Sequence, residues 1–536
     1  MPHLDRRSAP VSASLSVPAS APVSVPVPLL PDVACLIITS RLRPGLDGGY
    51  TVATMQRAAL LADAGLPVTL LTVDLHPDYR PFLDEFRRVG LADDRTVMRN
   101  LLEEVRARPE LLRNAADAAL APTRDVARGA HSASLNGAAL NSAALNSAPL
   151  NNDAPDLDAA GQPWRQLVRD AAGRVVHTDF FDREGAPLFR LPYLALPDWW
   201  RAPVVIDVFD ASGARCGGLT GFGGLYRAWW DAVVAEVVAA SPGRSVVAIA
   251  EARQVGELLI GSPGLHVVHT VHNAHTLPPH AWNSPMDITW SGWLETLPQY
   301  DAVVWLTHQQ RADVARLRGS EEVLGWVIPH PARIPDDVAQ HPEAVVGTAH
   351  RDLRRAVMVA RLAPQKRVDH AIRAWRRVVQ VLPDARLDIY GEGALRAELQ
   401  SLIDKQGLGD RVTLHGYVPD APEQTRMAAC LLVTSVYEGQ SLAIAEAMAR
   451  GCLAVAYDIA YGPAEMIVDG VSGLLVASGD IDALAEAVIG LLRDDERIER
   501  FSRASIEWAK SAGPHRALAS WSDLLATVTA VPLRSP

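Results

Sequence analysis

A chain of 536 residues is too long for one ordinary hydrophobic core, so two domains with irregular segments are expected. The formal net charge of −11, without any long Lys/Arg run, argues against nucleic acid or an anionic membrane surface as the main partner, although a local group of cations can hold a phosphate. Four widely spaced cysteines and the lack of an apolar run of roughly 18 residues favour a cytoplasmic protein.

The N-terminal region predicts a tail followed by the start of a parallel sheet. Residues 1–31 are rich in Ser, Ala, Pro and Val, and we expect a disordered tail whose prolines interrupt any signal-peptide core. The next segment contains a strand-like run, a glycine pair, a helical stretch and a second strand, at 33–38, Gly48–Gly49, 51–64 and 68–73. This order is a βαβ unit, the usual opening of a doubly wound sheet.

Two segments interrupt this sheet. Residues 115–160 are of low complexity and contain a degenerate five-residue repeat from Leu135, which predicts a flexible insertion. Residues 164–218 contain short alternating runs separated by Asp-x-x-Gly sequences, which predict an antiparallel meander. A helix near 225–240 and further strands follow, at 245–250, 266–272 and 302–307, and 328–331 is expected to be the interdomain linker.

The last third of the chain predicts a second sheet. Strand-like runs alternate with amphipathic helical stretches, and the runs lie at 356–360, 385–390, 411–415, 430–434 and 452–457. This alternation implies a parallel sheet covered on both faces. Two such domains in tandem form a cleft at the carboxyl ends of both sheets, where open α/β sheets bind ligands.

Two glutamates frame the strongest chemical motif. Glu438 and Glu446 lie in a segment between a strand and a helix, separated by roughly 12 Å of axial rise if most of the segment is helical. That distance suits the span from the sugar of a nucleotide sugar to its ribose. A helix N-terminus at Gly439–Leu442 would face the diphosphate. Taken alone, the motif is equally compatible with two surface glutamates on a capped helix.

Two cations strengthen the nucleotide-sugar interpretation. Arg361 and Lys366 follow a predicted strand, where they suit a leaving diphosphate and make a metal unnecessary. An exposed pair that only aids solubility is the alternative.

The histidines do not predict a metal site. His266, His269, His272 and His275 recur at every third position, which suggests zinc. On a strand, however, residues three apart point to opposite faces, so His269 and His272 do not converge. We therefore expect no metal.

Several motifs together resemble the retaining glycosyltransferases of family 4, which have the GT-B fold. They are ArgLeuAlaProGlnLys at 361–366, GlyGluGly at 391–393, HisGlyTyrValPro at 415–419 and the Glu-x7-Glu segment. The segment 457–467 and the meander further resemble the branch that contains the poly(glycerol-phosphate) α-glucosyltransferases and related wall-polymer or protein O-glycosyltransferases.

The resemblance implies a GT-B fold of two Rossmann-like domains facing across a cleft, with the meander inserted in the first. The implied division is a tail, an N-terminal acceptor domain, a C-terminal nucleotide-sugar domain and a C-terminal helix with a tail, at 1–31, 32–335, 345–513 and 514–536. The resemblance also implies four catalytic residues: His272, with His275 as its alternative, Arg361, Lys366 and Glu438. The implied donor-binding residues are Gly48, Gly49, Arg361, Lys366, Gly416, Tyr417, Val418, Glu438, Gly439, Gln440, Ser441, Leu442 and Glu446. Many relatives have Phe where this chain has Gln440.

The implied reaction transfers glucose or N-acetylglucosamine from a UDP-sugar to a hydroxyl of a polymer, a protein or a small molecule, with retention and without cofactor or metal. The enzyme would act in the cytoplasm, including the inner face of the membrane. The alternatives are a catalytically inactive GT-B partner, a nucleotide-sugar epimerase and a pyridoxal-phosphate-dependent phosphorylase, for which no lysine context is seen. The meander fits self-association and polymer binding equally well.

Overall fold

The computed structural model describes residues 30–46, 48–121, 154–194, 201–320, 325–346 and 351–533. The predicted tail at 1–31 and the predicted insertion at 115–160 lie outside these residues except at their ends. The β-strands are β1 Val33–Thr39, β2 Val68–Thr72, β3 Val97–Asn100, β4 Asp156–Leu157, β5 Pro163–Arg169, β6 Val175–Phe181, β7 Pro187–Pro192, β8 Val205–Phe209, β9 Arg215–Thr220, β10 Ser245–Ala250, β11 His266–Val271, β12 Ala302–Trp305, β13 Gly325–Val327, β14 Asp352–Val359, β15 Arg386–Tyr390, β16 Val412–Gly416, β17 Ala428–Val433, β18 Leu453–Asp458 and β19 Gly473–Ala477.

The α-helices of the described residues are α1 Gly49–Asp63, α2 Arg80–Arg88, α3 Leu101–Ala107, α4 Glu110–Ala115, α5 Gly221–Ala240, α6 Arg253–Leu259, α7 Trp293–Thr296, α8 His308–Arg318, α9 Asp336–Gln340, α10 Glu343–Val346, α11 Val368–Val381, α12 Arg396–Lys405, α13 Leu442–Met448, α14 Pro463–Met466, α15 Ile481–Leu492, α16 Asp495–Ser511 and α17 Pro514–Thr529. Within the described ranges, no helix is long and apolar enough to span a bilayer.

Two parallel sheets form the framework of the molecule. The first has the strand order β13-β12-β11-β10-β1-β2-β3, and the second has the order β16-β15-β14-β17-β18-β19. Their central strands are continuous apolar runs, and every residue of β1 and β17 is buried, because helices cover both faces. The predicted pair of Rossmann-like sheets is therefore confirmed.

The order of the strands reverses at one place in each parallel sheet. In the first sheet the chain leaves β1 in one direction to form β2 and β3, and returns on the other side at β10. In the second sheet the corresponding pair is β14 and β17. A crevice opens at the carboxyl ends of such strand pairs, because their connecting loops diverge to opposite faces. Both crevices face the same cleft.

The third sheet is antiparallel and takes its strands in sequence order, from β4 to β9. Its hairpins close at the Asp-x-x-Gly turns: the Asp170 carboxylate, for example, accepts from the main-chain N–H groups of Ala172 and Arg174. Phe180 and Phe189 stack on its buried face with ring centroids 4.5 Å apart. Because α5 shares one apolar core with this sheet and the first parallel sheet, the predicted meander is an integral part of the N-terminal half.

The C-terminal helix returns to the first parallel sheet. Trp521 and Leu525 of α17 lie in one apolar cluster with Val33 and Ile37 of β1. The Arg57 guanidinium also lies 5.1 Å from the centre of the Trp521 ring. This return contact ties the two halves of the chain together on the side of the first sheet.

Candidate functional site

A cleft of about 980 Å³ lies between the two parallel sheets, and loops that follow their strands line it. The cleft brings together all but one of the residues predicted from the sequence: Gly48, Gly49, His272, Arg361, Lys366, Tyr417, Val418, Glu438, Gly439, Gln440, Ser441, Leu442 and Glu446. The exception, Gly416, is the last residue of β16, directly before Tyr417. The structure therefore places residues from both halves of the chain on one cavity.

Arg361 is held at the cleft by the GlyGluGly motif. The main-chain N–H of Leu362 donates to the carbonyl of Glu392 at 2.9 Å, so the loop after β14 pairs with the loop after β15. A side chain at Gly391 would collide with the carbonyl of Ala360, because the two backbones are in close contact. The exposed Arg361 side chain, beside Gly48 of the opposite domain, is therefore presented from a fixed loop.

Lys366 and Glu438 form the central ion pair of the site. Lys366 Nζ donates to Glu438 Oε1 at 2.6 Å, and the Ser435 hydroxyl donates to the same oxygen at 2.6 Å. Thr434, directly after β17, donates to the main-chain carbonyl of Lys366 at 2.9 Å. The two strands at the reversal of the second sheet thus fix the cation and the carboxylate against each other.

The segment after Glu438 departs from the prediction, because it is not helical. The helix α13 begins only at Leu442, and the N–H groups of Gly439–Ser441 belong to a loop. Gly439 lies directly under the main-chain carbonyl of His272, where a side chain would not fit. The Gln440 carboxamide accepts from the main-chain N–H of His330 at 2.6 Å. Contacts across the cleft therefore override helix formation, and the axial-rise estimate between the two glutamates does not hold.

Glu446 lies on α13 at the cleft, beside Arg450. Burial raises the pKa of Glu446 to about 7, although the nearby Arg450 guanidinium lowers it. The Arg450 side chain is itself engaged by Glu423 at 2.7 Å and by the main-chain carbonyl of Glu446 at 3.1 Å. The Glu446 side chain therefore changes its charge near neutral pH. Hydroxyl groups of a ligand that donate to it would favour the charged form.

His272 stands on the opposite wall of the cleft at the end of a buried charge network. Its Nε2 contacts the Glu251 carboxylate, which in turn pairs with the Arg57 guanidinium. Burial raises the pKa of Glu251, but Arg57 and His272 outweigh it and lower the pKa to about 2. The charged carboxylate therefore fixes the orientation of the His272 ring.

Glu251 and Arg57 were missed by the sequence prediction. Glu251 directly follows β10, one of the two strands at the reversal of the first sheet. A carboxylate at the carboxyl end of a predicted apolar strand was the available signal. Arg57 gave none, because an arginine inside a helix is ordinarily a surface residue.

The alternative histidine, His275, is buried away from His272 among aromatic side chains. Its ring lies 5.7 Å from that of Trp293 and 6.4 Å from that of Tyr461. Burial lowers the pKa of His275 to about 4. Of the two candidates, His272 is the one that lines the cleft. Among the described residues, no group of His, Cys, Asp or Glu side chains is arranged to hold a metal ion.

Residues 346–508 match the family model described as "Glycosyl transferases group 1". A poly(glycerol-phosphate) alpha-glucosyltransferase of Bacillus subtilis is 30% identical over 225 residues, which cover 42% of this chain and 32% of the relative. The chain thus matches about a third of the length of this relative.

Two solved structures share the fold over almost the whole chain. A mutant of TarM from S. aureus, in complex with Fondaparinux, alpha-GlcNAc-glycerol and UDP, has a TM-score of 0.69 at 17% identity and covers 92% of this chain and 100% of its own. The pneumococcal O-GlcNAc transferase GtfA, in complex with UDP and GlcNAc, has a TM-score of 0.62 at 15% identity, with coverages of 93% and 99%.

These comparisons define the fold of the chain and the kinship of its C-terminal domain. The chain has the GT-B fold, as the motifs predicted, and its C-terminal domain is similar to the glycosyl transferases of group 1. Its relatives include enzymes named for poly(glycerol phosphate) and for peptides.

Proposed function

We propose that this chain is a retaining glycosyltransferase of family 4 that transfers glucose or N-acetylglucosamine from a UDP-sugar to a hydroxyl of a wall polymer. The observation that carries the proposal is the joint placement of Lys366, Glu438 and Glu446 on one cleft, opposite His272. A nucleotide sugar would lie with its diphosphate at Arg361 and Lys366, its ribose at Glu446 and its hexose at Glu438.

The proposed reaction breaks the bond between the anomeric carbon and the diphosphate oxygen and forms a bond from the same face to the acceptor oxygen. The acceptor proton passes to the departing diphosphate. Lys366 and Arg361 stabilise the charge that builds on that diphosphate, so the charge requires no metal ion. Glu438, fixed by Lys366 and Ser435, orients the sugar, and His272 stands on the acceptor side.

The acceptor would enter from the N-terminal half. There the cleft extends along residues of the antiparallel sheet and α5, including Leu191, Phe222 and Tyr226. A polyol-phosphate polymer is favoured by the name of the B. subtilis relative, and a relative named as a peptide N-acetylglucosaminyltransferase subunit supports a protein acceptor as the second candidate. We also propose a cytoplasmic location, which four free cysteines support.

The test is release of nucleotide diphosphate from a panel of nucleotide sugars, first without acceptor and then with poly(glycerol phosphate) or peptide. We expect slow release from one UDP-sugar, its loss in Lys366→Ala and Glu446→Ala, and faster release with the polymer. Lys510→Ala, at an exposed pair with Glu507, is the matched control. Proton NMR of the product shows whether the α-anomer is retained. If no nucleotide sugar gives either release of nucleotide diphosphate or a thermal shift, the donor site is rejected and an inactive partner protein is favoured.

A further inference from the structure

Gln440 forms hydrogen bonds to the main chain of the opposite side of the cleft, which a residue that only binds the donor sugar would not need. Its carboxamide is buried and pairs with both main-chain groups of His330, accepting from the N–H at 2.6 Å and donating to the carbonyl at 3.5 Å. His330 belongs to the segment that leaves the first domain after β13. A loop of the donor side is therefore bonded to the backbone of the interdomain connection.

The His330 side chain continues this contact toward the opposite wall. Its ring lies 5.6 Å from the ring of His272, at an interplanar angle of 21°. Burial lowers the pKa of His330 well below its usual range, and the Arg57 charge acts in the same direction. A neutral His330 stacks on His272 without charge repulsion. The Tyr50 ring also contacts His272, with the two ring planes near perpendicular and the centroids 5.0 Å apart.

A second contact holds the same pair of segments together. The backbone of Gly439 lies against the main-chain carbonyl of His272 with no room for a side chain. The donor loop thus contacts His272 directly at its backbone, and indirectly at its ring through Gln440 and His330. A shift of the loop on binding a donor moves the ring of His272 unless one of these contacts breaks.

We propose that Gln440 and His330 are positioning residues that couple the donor loop to His272, so that the position of the loop sets the placement of the imidazole. This inference rests on the proposed function for its catalytic consequence, but the coupling itself is a property of the folded chain. The chain uses Gln440 as a hydrogen-bonding bridge between its domains rather than as a contact to the donor sugar.

The experiment compares Gln440→Met, His330→Ala and the double variant in UDP release from the preferred UDP-sugar. Methionine keeps the volume of Gln440 and removes both hydrogen bonds. We expect each single variant to lower kcat about five- to fiftyfold with the donor KM changed less than twofold. Because the two residues act in series, we expect the double variant to lower kcat about as much as one single variant does, and not by the product of the two effects. Gln400→Met, at an exposed position of α12, is the control and leaves kcat unchanged.

A second measurement does not depend on activity. In ligand-free protein labelled with ¹³C at histidine Cε1, the resonance of His272, assigned from His272→Gln, is expected to shift in Gln440→Met and not in Gln400→Met. An unchanged His272 resonance, or multiplicative effects on kcat, would overturn the coupling. If the wild-type protein releases no UDP but the resonance shifts, the proposed function fails and the coupling stands.

Discussion

The two walls of the cleft hold their charges in different ways. The C-terminal wall carries Arg361, Lys366, Glu438 and Glu446, and we call it the donor wall after its proposed role. Its cations Arg361 and Lys366 remain in contact with solvent, and their hydrogen-bonding partners belong to the same domain. On the opposite wall, Arg57, Glu251 and His272 are buried together, although 194 residues separate the first two in the chain. The first arrangement leaves cations accessible from the cleft, and the second fixes the position of one imidazole ring.

This difference predicts different consequences of mutation. The exposed cation Arg361 contributes little to folding, so its removal should affect turnover and leave stability almost unchanged. A buried ion pair that loses one partner leaves an uncompensated charge, so its disruption affects stability as well as activity. Each wall can therefore be tested by the separation of these two effects.

The largest effect is expected from Lys366→Ala. Without the cation, the leaving diphosphate loses a charge-assisted donor and Glu438 loses its partner, so donor turnover falls roughly 10²- to 10³-fold. The measurement is the rate of UDP release, with the urea-unfolding free energy measured in parallel. Equal turnover in Lys366→Ala and Lys510→Ala would show that Lys366 takes no part in the reaction.

Glu251→Gln is expected to cost about 3–5 kcal/mol of unfolding free energy, because it leaves the Arg57 guanidinium buried without a counter-charge. Donor turnover falls as well, since the orientation of His272 is lost. Since Glu251 has a lowered pKa in the folded protein, its contribution is present at neutral pH and is lost as the pH falls toward about 2. Urea unfolding at pH 7 measures the cost.

Glu507→Gln, at an exposed pair with Lys510, is the control for this change and should stay within about 0.5 kcal/mol of wild type. If Glu251→Gln has the same unfolding free energy as this control, the Arg57–Glu251 pair contributes no more to stability than an exposed ion pair, and the contrast between the two walls fails.

Glu446→Gln separates binding from stability on the donor wall. The raised pKa of Glu446 means that the free folded protein favours the protonated form, so this residue stabilises at low pH and that contribution is lost as the pH rises through about 7. We expect the variant to be more stable than wild type at pH 8 without nucleotide, yet to bind UDP about tenfold more weakly.

Thermal unfolding from pH 5 to pH 8, with and without UDP, measures both properties of Glu446→Gln. Because Glu251 titrates far below this range, its contribution does not overlap. A variant that binds UDP as tightly as wild type would contradict the ribose contact.

The smallest effect is expected at a contact between the walls. The Glu465 carboxylate accepts from the main-chain N–H groups of His308 and Gln309, at 2.9 Å and 2.8 Å, at the start of α8. A carboxylate at a helix N-terminus contributes typically 0.3–1 kcal/mol, so Glu465→Gln should raise the donor KM about two- to fivefold through weaker domain closure. Glu486→Gln, at an exposed pair with Arg377, should leave the donor KM unchanged.

The same contrast explains what could be predicted from the sequence. The central strands were found because both their faces are covered, so the runs are continuously apolar. The strands β3, β13 and β19 were missed. Each is at the edge of its sheet, and two of them are shorter than five residues. The strands β3 and β13 are also incompletely buried, so their hydrophobic pattern is weak. The run of β19 is apolar and largely buried, so its signal was present in the sequence.

The donor wall was predictable because its residues lie in short motifs after two adjacent strands. The opposite wall was not predictable, because Arg57 of α1 and Glu251 after β10 form their ion pair only when these two elements pack together. Gln440 was predicted at the site, but its bonds to the His330 backbone depend on the arrangement of the two domains. Short sequence motifs therefore revealed site residues within one domain. Contacts between elements that are distant in the chain could be seen only in the folded structure.

The proposed function requires that the cleft bind a nucleotide sugar against Lys366, Arg361 and Glu446. A crystal structure of the full chain with UDP tests it most directly. We expect the diphosphate within hydrogen-bond distance of Lys366 Nζ and the Arg361 guanidinium, and the ribose hydroxyls on the Glu446 carboxylate. A nucleotide bound elsewhere, or an empty cleft at a UDP concentration that shifts the unfolding temperature, would contradict it.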